Sequence, residues 1–234
     1  KTLNRQLSKS NQELEDFAYV ASHDLQEPLR AVVGYTSLLE KRYAPSLDDQ
    51  ARKYVQGAQD GARRMQILIE DLLSYSRVDS QGKPLENVDL KIVFASVIES
   101  LEPAMEAAGA QVLFEGELPV VLGDRSQLYQ LFQNLISNAL KFRADSSPVV
   151  SIETSTCDKD SRIIVSDNGI GFDMEYKETI FMMFKRLHTR EEYPGTGIGL
   201  AICKKIVDRH GGSISVESEP GIGTKFIVGL RRSS

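Results

Sequence analysis

The sequence contains no apolar run approaching the ~20 residues that a membrane-crossing helix requires, and no signal-peptide pattern opens it. These residues are therefore expected to make no membrane contact and to reside in the cytosol, a cytoplasmic location. Cysteine is scarce: Cys157 and Cys203 are the only two, too few for a disulfide framework or a zinc site. Cys203 falls in a helical apolar stripe and is expected to be core. Positive charge is not in excess either. With 28 Lys and Arg against 33 Asp and Glu, the net charge is −5, which argues against nucleic acid as a partner because phosphate backbones select basic surface. A Walker loop, internal repeats and low-complexity segments are absent. So is an initiating Met, and the opening on Lys1 in mid-pattern reads as a fragment of a longer chain.

What remains is a globular composition, 41% hydrophobic and 26% charged over 234 residues, enough for one large domain or two smaller ones. Leu3, Leu7, Ser10, Leu14, Phe17 and Ala21 alternate in steps of four and three, a coiled-coil seam. This first helix is predicted to run to Tyr43, where Ala44-Pro45-Ser46 breaks it and Ser46 or Asp48 caps a second. There Ala51, Val55, Ala58, Ala62, Met65, Ile69, Leu72 and Ser76 continue the alternation. A lone hairpin of this kind leaves an apolar face wet, so two chains are expected to pair as a four-helix bundle in a homodimer.

Ser80-Gln81-Gly82-Lys83-Pro84 is a polar linker with two helix breakers, and it separates residues 1–82 from residues 83–234. Beyond it the pattern is mixed. Asp89 is expected to cap a helix to about Ala108; Arg125 to Lys141 and about Gly197 to Arg209 are helical. Strands are predicted at Gln111 to Phe114, Val120 to Leu122, Val149 to Ser155, Arg162 to Ser166, Ser213 to Glu217 and Lys225 to Leu230. The expected fold class is α+β in two domains: an antiparallel helical hairpin, then an α/β sandwich with a mixed sheet and helices on one face.

Two glycine-rich loops follow strand-like runs: Asp167-Asn168-Gly169-Ile170-Gly171, and Gly195-Thr196-Gly197-Ile198-Gly199-Leu200. Glycine lets backbone N–H groups approach phosphate and converge on it. The second loop runs into a periodic helix whose N-terminus faces anionic oxygen. Upstream, Asn134 and Asn138 leave one helical face four residues apart, with Lys141 in the next turn. Carboxamide oxygens suit Mg²⁺, a hard cation, so metal and phosphate can be held together there. Asp167 ends an apolar strand, where its carboxylate can accept from an exocyclic amine of a base or cap the Asn168-Gly169 turn. A dinucleotide-binding reading fails on spacing, since the loop is Gly-x-Gly-x-Gly. Phe172 to Pro194 lacks both strand alternation and one clean helix and reads as a lid. In it, Phe181 and Phe184 can pin the lid to the domain or to the bundle, Lys185 or Arg186 can reach a γ-phosphate, and His188 reads as solvated. His210, at a helix end where a cation suits the dipole, reads as structural.

Asn134 to Phe142, Asp167 to Gly171, Phe181-x-x-Phe184, Gly195 to Leu200 and Gly221-Ile222-Gly223-Thr224-Lys225-Phe226 resemble, in order, the boxes of sensor histidine kinases. Ser22-His23-Asp24-Leu25-Gln26-Glu27-Pro28-Leu29-Arg30 resembles their phosphoacceptor box in its phytochrome-like form. The resemblance implies the ATP-binding fold shared with gyrase-type and MutL-type proteins, with ATP and Mg²⁺ as cofactors. It makes His23 the phosphoacceptor, Asp24 its base, Asn138 the metal ligand with Asn134 in support, Lys141 a phosphate contact and Phe142 a neighbour of adenine. Asp167 then reads adenine with Thr224 assisting, and the glycine loops with Ile198 and Leu200 complete the site. The implied partner is the receiver domain of a response regulator. Many members carry Thr or Asn four residues after the phosphoacceptor; here that place is Glu27, which implies weak phosphatase activity.

Overall fold

The computed structural model describes residues 24–144, 146–157, 160–189 and 192–232, and the chain divides into two compact units between Ser80 and Gln81. His23 and the seam from Leu3 to Ala21 lie outside the described residues.

In the first unit, helix α1 covers residues 24–43 of the described chain, a 3₁₀ turn spans Ala44–Ser46, and α2 runs Asp49–Ser80. Asp48 makes the α2 cap, its Oδ1 accepting from Ala51 N at 2.7 Å. The helices are antiparallel. Gln59 Nε2 donates to Glu40 Oε2 at 3.0 Å near the turn, while Leu29, Ala62, Ile69 and Leu73 form a buried cluster with Val33 against it. The seam differs from the predicted one at alternate positions. Gln59 and Leu73 are buried, whereas Ala58 and Met65 are exposed. A single hairpin buries only the stripe facing its partner helix. Apolar side chains off that stripe stay outside, with Tyr35, Leu38, Met65 and Ile67 all about half exposed or more. Gln59 takes a seam position because Glu40 satisfies its amide.

The second unit contains β1 (Glu86–Asp89), α3 (Leu90–Ala108), β2 (Gln111–Glu115), β3 (Val120–Gly123), α4 (Arg125–Lys141), β4 (Val149–Cys157), β5 (Asp160–Asp167), α5 (Gly199–Arg209), β6 (Ser213–Glu219) and β7 (Gly223–Arg231). The main sheet has the order β2-β4-β5-β7-β6. Among the described residues only its β2–β4 pair is parallel. The strand β1 differs from expectation, because Glu86-Asn87-Val88-Asp89 has one apolar residue and no alternation to read; it pairs antiparallel with β3 in a separate ribbon. The amphipathic helices α3, α4 and α5 lie side by side against one face of the main sheet. Phe94 and Phe132, with ring centroids 4.4 Å apart, pack in a core with Leu131, Leu135, Ile152, Ile163, Ile202 and Ile206, all fully buried.

Buried Asp124 fixes the start of α4. Its Oδ1 accepts from Ser126 N (3.0 Å), Ser126 Oγ (2.6 Å) and Gln127 N (3.4 Å), and its Oδ2 accepts from Lys83 N at 2.7 Å. Burial works against the carboxylate charge, but the hydrogen bonds from Ser126, Lys83 and Gln127 prevail and hold its pKa below the ordinary value. At the far end of α5, Arg209 donates to Gln127 Oε1 (2.8 Å) and Lys83 O (2.6 Å), and lies 3.8 Å from Asp124 Oδ2. The beginning of α4 is thereby tied to the end of α5, which sets the two helices that carry the candidate site.

His210 completes this knot as a structural residue, and as a neutral ring rather than a helix-end cation. It is buried; its Nε2 accepts from Asp124 N–H at 2.9 Å, so Nδ1 carries the proton, 2.7 Å from Ile206 O. Burial pushes its pKa down, which keeps the ring neutral. Below the unfolded value of ~6.5 the unfolded chain therefore binds more protons, and stability falls as pH drops from there toward the folded value. Thermal melting is expected to decline between pH 7 and pH 5, and His210→Asn should flatten that slope. The depressed pKa of Asp124 acts in a separate window, below ~3.9.

Candidate functional site

The middle and last turns of α4 present Asn134 and Asn138 on one half-buried face, with Lys141 and Phe142 after them. Asn134 Nδ2 donates to Gly199 O at 3.4 Å, joining this face to the start of α5. The lysine reaches the second glycine loop: a Cβ placed on Gly195 would lie 2.7 Å from Lys141 Nζ. That ammonium also sits 4.2 Å from the centroid of the Phe142 ring. Burial and, after it, the charge of Arg186 lower the Lys141 pKa. Two cations held beside a glycine loop are electrostatically frustrated alone and complementary to a polyanion.

The loop itself is shaped by its glycines. Gly195 (φ 146°) and Gly197 (φ 78°) occupy backbone regions that side chains rarely adopt, and a Cβ on Gly197 would meet Lys185 O at 2.8 Å. Thr196 Oγ1 accepts from Ile198 N at 3.4 Å, and Ile198 is fully buried beneath the loop. The α5 helix starts at Gly199 with Leu200 half-buried in its first turn, two residues later than predicted, because Gly197 is left-handed.

At the other end, Asp167 closes β5 in register with Thr224 of β7. Its Oδ1 accepts from Gly169 N (2.8 Å) and Thr224 N (3.2 Å), so it does cap the turn; among the described residues Oδ2 is left available to a ligand. Burial raises the Asp167 pKa, against those two hydrogen bonds. Gly169 packs on Phe142: an added Cβ would collide with Phe142 O, and Ile170 N donates to that same oxygen at 2.9 Å. Gly171 (φ 59°) likewise has no room, with Glu219 O where its Cβ would stand. Phe142 thus links the Asp167 loop to the Gly195 loop. Asn168 pins the turn to β4 by accepting from Val149 N (2.8 Å) and donating to Ser147 O (3.1 Å).

Sequence reasoning missed Ser218. Its Oγ accepts from Phe172 N and donates to Gly223 O, and lies beside Thr224 Oγ1, each at 2.9 Å. No local motif marks it, because its partners arrive from both neighbouring loops.

The segment 172–194 contains two 3₁₀ turns, Met174–Tyr176 and Thr179–Phe181. Ile180 is buried and Phe181 approaches Phe226 edge-on at 6.5 Å, whereas Phe184 is 57% exposed and holds φ at 62° while its N–H donates to Gly197 O at 2.9 Å. Arg186 is engaged with the backbone of the lid. Its guanidinium donates to Gly195 O (2.9 Å), Thr189 O (3.1 Å) and Tyr193 O (2.5 Å), and so holds the lid loop together. His188 is half-buried against Phe142 and Tyr193 rather than solvated. Cys203 is core: burial pushes its thiol up to about 12, which leaves no thiolate for chemistry. In the helical unit, Asp24 is exposed at the start of the described α1, and Glu27 is exposed one turn later.

Among the described residues no group of three His, Cys, Asp or Glu side chains can hold a metal. The carboxamide oxygens of Asn134 and Asn138 on α4 are donors whose chemistry suits a hard cation.

A mixed sheet covered on one face by helices, with two glycine loops facing an asparagine-bearing helix, defines a nucleotide-binding domain. Residues 123–234 match the family described as histidine kinase-, DNA gyrase B- and HSP90-like ATPase. Residues 13–81 match the His Kinase A (phospho-acceptor) domain. The chain belongs to the sensor histidine kinases and carries the two-domain core of their phytochrome-like branch. It is 46% identical to the phytochrome-like protein Cph1 of Synechocystis sp. over 228 residues, 97% of this chain and 30% of that protein. To cyanobacterial phytochrome A of Nostoc sp. it is 46% identical over 220 residues, 94% of this chain and 29% of that protein. The chain thus spans about a third of the length of the curated relatives it matches. Among solved structures, full-length ShkA in complex with AMPPNP superposes with a TM-score of 0.72 at 27% identity, covering 94% of this chain and 46% of that one. The catalytic domain of the histidine kinase ThkA gives 0.56 at 28% identity, covering 64% of this chain and 97% of that one.

Proposed function

We propose that this chain is the transmitter of a two-component system, which transfers the γ-phosphoryl group of ATP to His23 and then to an aspartate on the receiver domain of a response regulator. The single observation that supports this most is the meeting of the Asn134–Asn138 face, Lys141 and the left-handed glycine loop at the start of α5, with the Asp167 carboxylate joined to them through Phe142. Asp167 Oδ2 accepts from the adenine amine, and Thr224 holds Asp167 in place through its N–H. Lys141 and the N–H groups at Gly195 to Gly199 take the phosphate oxygens. Asn138, supported by Asn134, holds Mg²⁺, which when bound neutralises phosphate charge. His23 attacks phosphorus as neutral imidazole, with Asp24 orienting the ring and accepting its proton. Positioning and charge neutralisation carry most of the rate, as phosphoryl transfer generally requires. The exposed apolar side chains of α1 and α2 support pairing of two chains as a four-helix bundle, with sensory domains upstream.

Incubation with Mg·ATP is expected to yield an acid-labile phosphoprotein. Release of inorganic phosphate without any such label would instead assign the chain to the partner-clamping ATPases.

Glu27 bears on the reverse reaction. It stands four residues after His23 in the sequence and its side chain is exposed, where a carboxylate repels the acyl phosphate of a regulator and positions no water for hydrolysis. Glu27→Thr is expected to raise the dephosphorylation rate of the phosphorylated regulator, measured with purified components and excess ADP. Rapid dephosphorylation by the parent chain, with no gain from Glu27→Thr, would refute this.

A further inference from the structure

Phe142 carries more than a base neighbour on its ring. The Tyr193 ring packs on it at 5.1 Å between centroids, His188 lies 6.1 Å from it, and His188 and Tyr193 meet at 5.3 Å. Both partners come from the lid, about fifty residues further along the chain. Tyr193 Oη also lies 3.5 Å from Arg143 O, just past the end of α4.

The placement of Tyr193 is specified by a compact set of hydrogen bonds. Thr189 N and Oγ1 both donate to Glu192 Oε2 at 3.0 Å, and Tyr193 N donates to Thr189 O at 3.2 Å. The three carbonyls gathered by Arg186 include those of Thr189 and Tyr193 on one side and that of Gly195 on the other. One guanidinium therefore holds the Tyr193 turn and the phosphate-facing loop in a single unit, and Tyr193 delivers that unit onto Phe142.

We infer that Tyr193 is a positioning residue for the nucleotide: it braces Phe142 from the lid, so that base binding at Phe142 and closure of the loop around phosphate are mechanically one event. This rests on the proposed ATP site. The physical basis is geometric. Phe142 sits at the C-cap of α4 and its backbone carbonyl is held by Ile170 N; its ring is contacted by Lys141 Nζ and, from the lid, by Tyr193 and His188. An unbraced ring would spend rotational freedom on binding, a cost that preorganisation removes. Aromatic pairs of this separation contribute enough to shift affinity by roughly three- to tenfold.

The test uses the chain as it stands, with Mg·ATP as ligand. Tyr193→Ala is expected to raise the KM for ATP by about three- to tenfold, with the loss concentrated in KM, and Tyr193→Phe, which keeps the ring, is expected to recover the parental KM. The sequence contains no Trp, so Tyr193→Trp places a unique fluorophore in the clasp, and its emission is expected to shift as ATP saturates the site by calorimetry. An unchanged KM in Tyr193→Ala, or indole emission from Tyr193→Trp that stays constant while calorimetry reports saturation, overturns the inference and leaves the ATP site intact. Failure of the parent chain to take up ATP by calorimetry would remove the proposed function along with it.

Discussion

His23→Gln is expected to abolish the acid-labile phosphoryl label completely while leaving Mg·ATP affinity within about twofold of the parent, a change of well under 1 kcal/mol. The separation of the two effects is the informative part. Glutamine preserves helix propensity and approximate length but offers an amide nitrogen whose lone pair is delocalised, so nothing at that position attacks phosphorus. Every group assigned to the nucleotide lies beyond residue 133 in the other compact unit. Autoradiography after acid and alkaline treatment, alongside calorimetric titration with ATP, measures both quantities. Persistent acid-labile label in His23→Gln would overturn the phosphoacceptor assignment. Mixing His23→Gln with an Asn138→Ala chain then asks whether transfer occurs within a subunit or across a dimer, because label in the mixture requires the intact histidine of one chain to meet the intact nucleotide site of the other.

Asp167→Asn is expected to weaken ATP binding by roughly 10- to 100-fold, with a shift in base preference toward GTP. In the parent, Oδ1 is committed to two backbone donors, Gly169 N at 2.8 Å and Thr224 N at 3.2 Å. The asparagine oxygen is held by the same donors, which places the new NH₂ group where Oδ2 was. A donor then faces the adenine amine, itself a donor, and one of them is left unsatisfied in a half-buried site. Guanine presents a carbonyl at the corresponding position and accepts from that NH₂. The substitution also removes a carboxylate whose pKa burial has raised, so the fold itself is expected to melt no lower. Competition titrations with ATP and GTP, together with a melting curve, distinguish lost recognition from lost structure. Equal ATP affinity in Asp167→Asn would show that this carboxylate reads no base.

The helices of both units were legible because each buries one face, so its apolar residues recur at the helical period whatever lies opposite. The caps at Asp48 and Asp89 were legible for a similar reason: each bonds to the backbone two or three residues on, a strictly local event. Even so, Asp124 was not singled out, since its second oxygen serves Lys83, 41 positions earlier. The short strand β1 was also invisible. What makes it a strand is pairing with β3, and a single apolar residue, Val88, carries no period.

The identity of the glycines, asparagines and Asp167, their order along the chain and the chemistry they suit were determined by the sequence alone, because each depends on residue type and short spacing. Tertiary structure alone decided that Gln59 rather than Ala58 faces the seam, that His210 is neutral and buried, that Arg186 gathers three carbonyls, and that Tyr193 rests on Phe142. In each case the partner lies too far along the chain for periodicity to register it, and the side chain's charge, tautomer or direction is set by that partner.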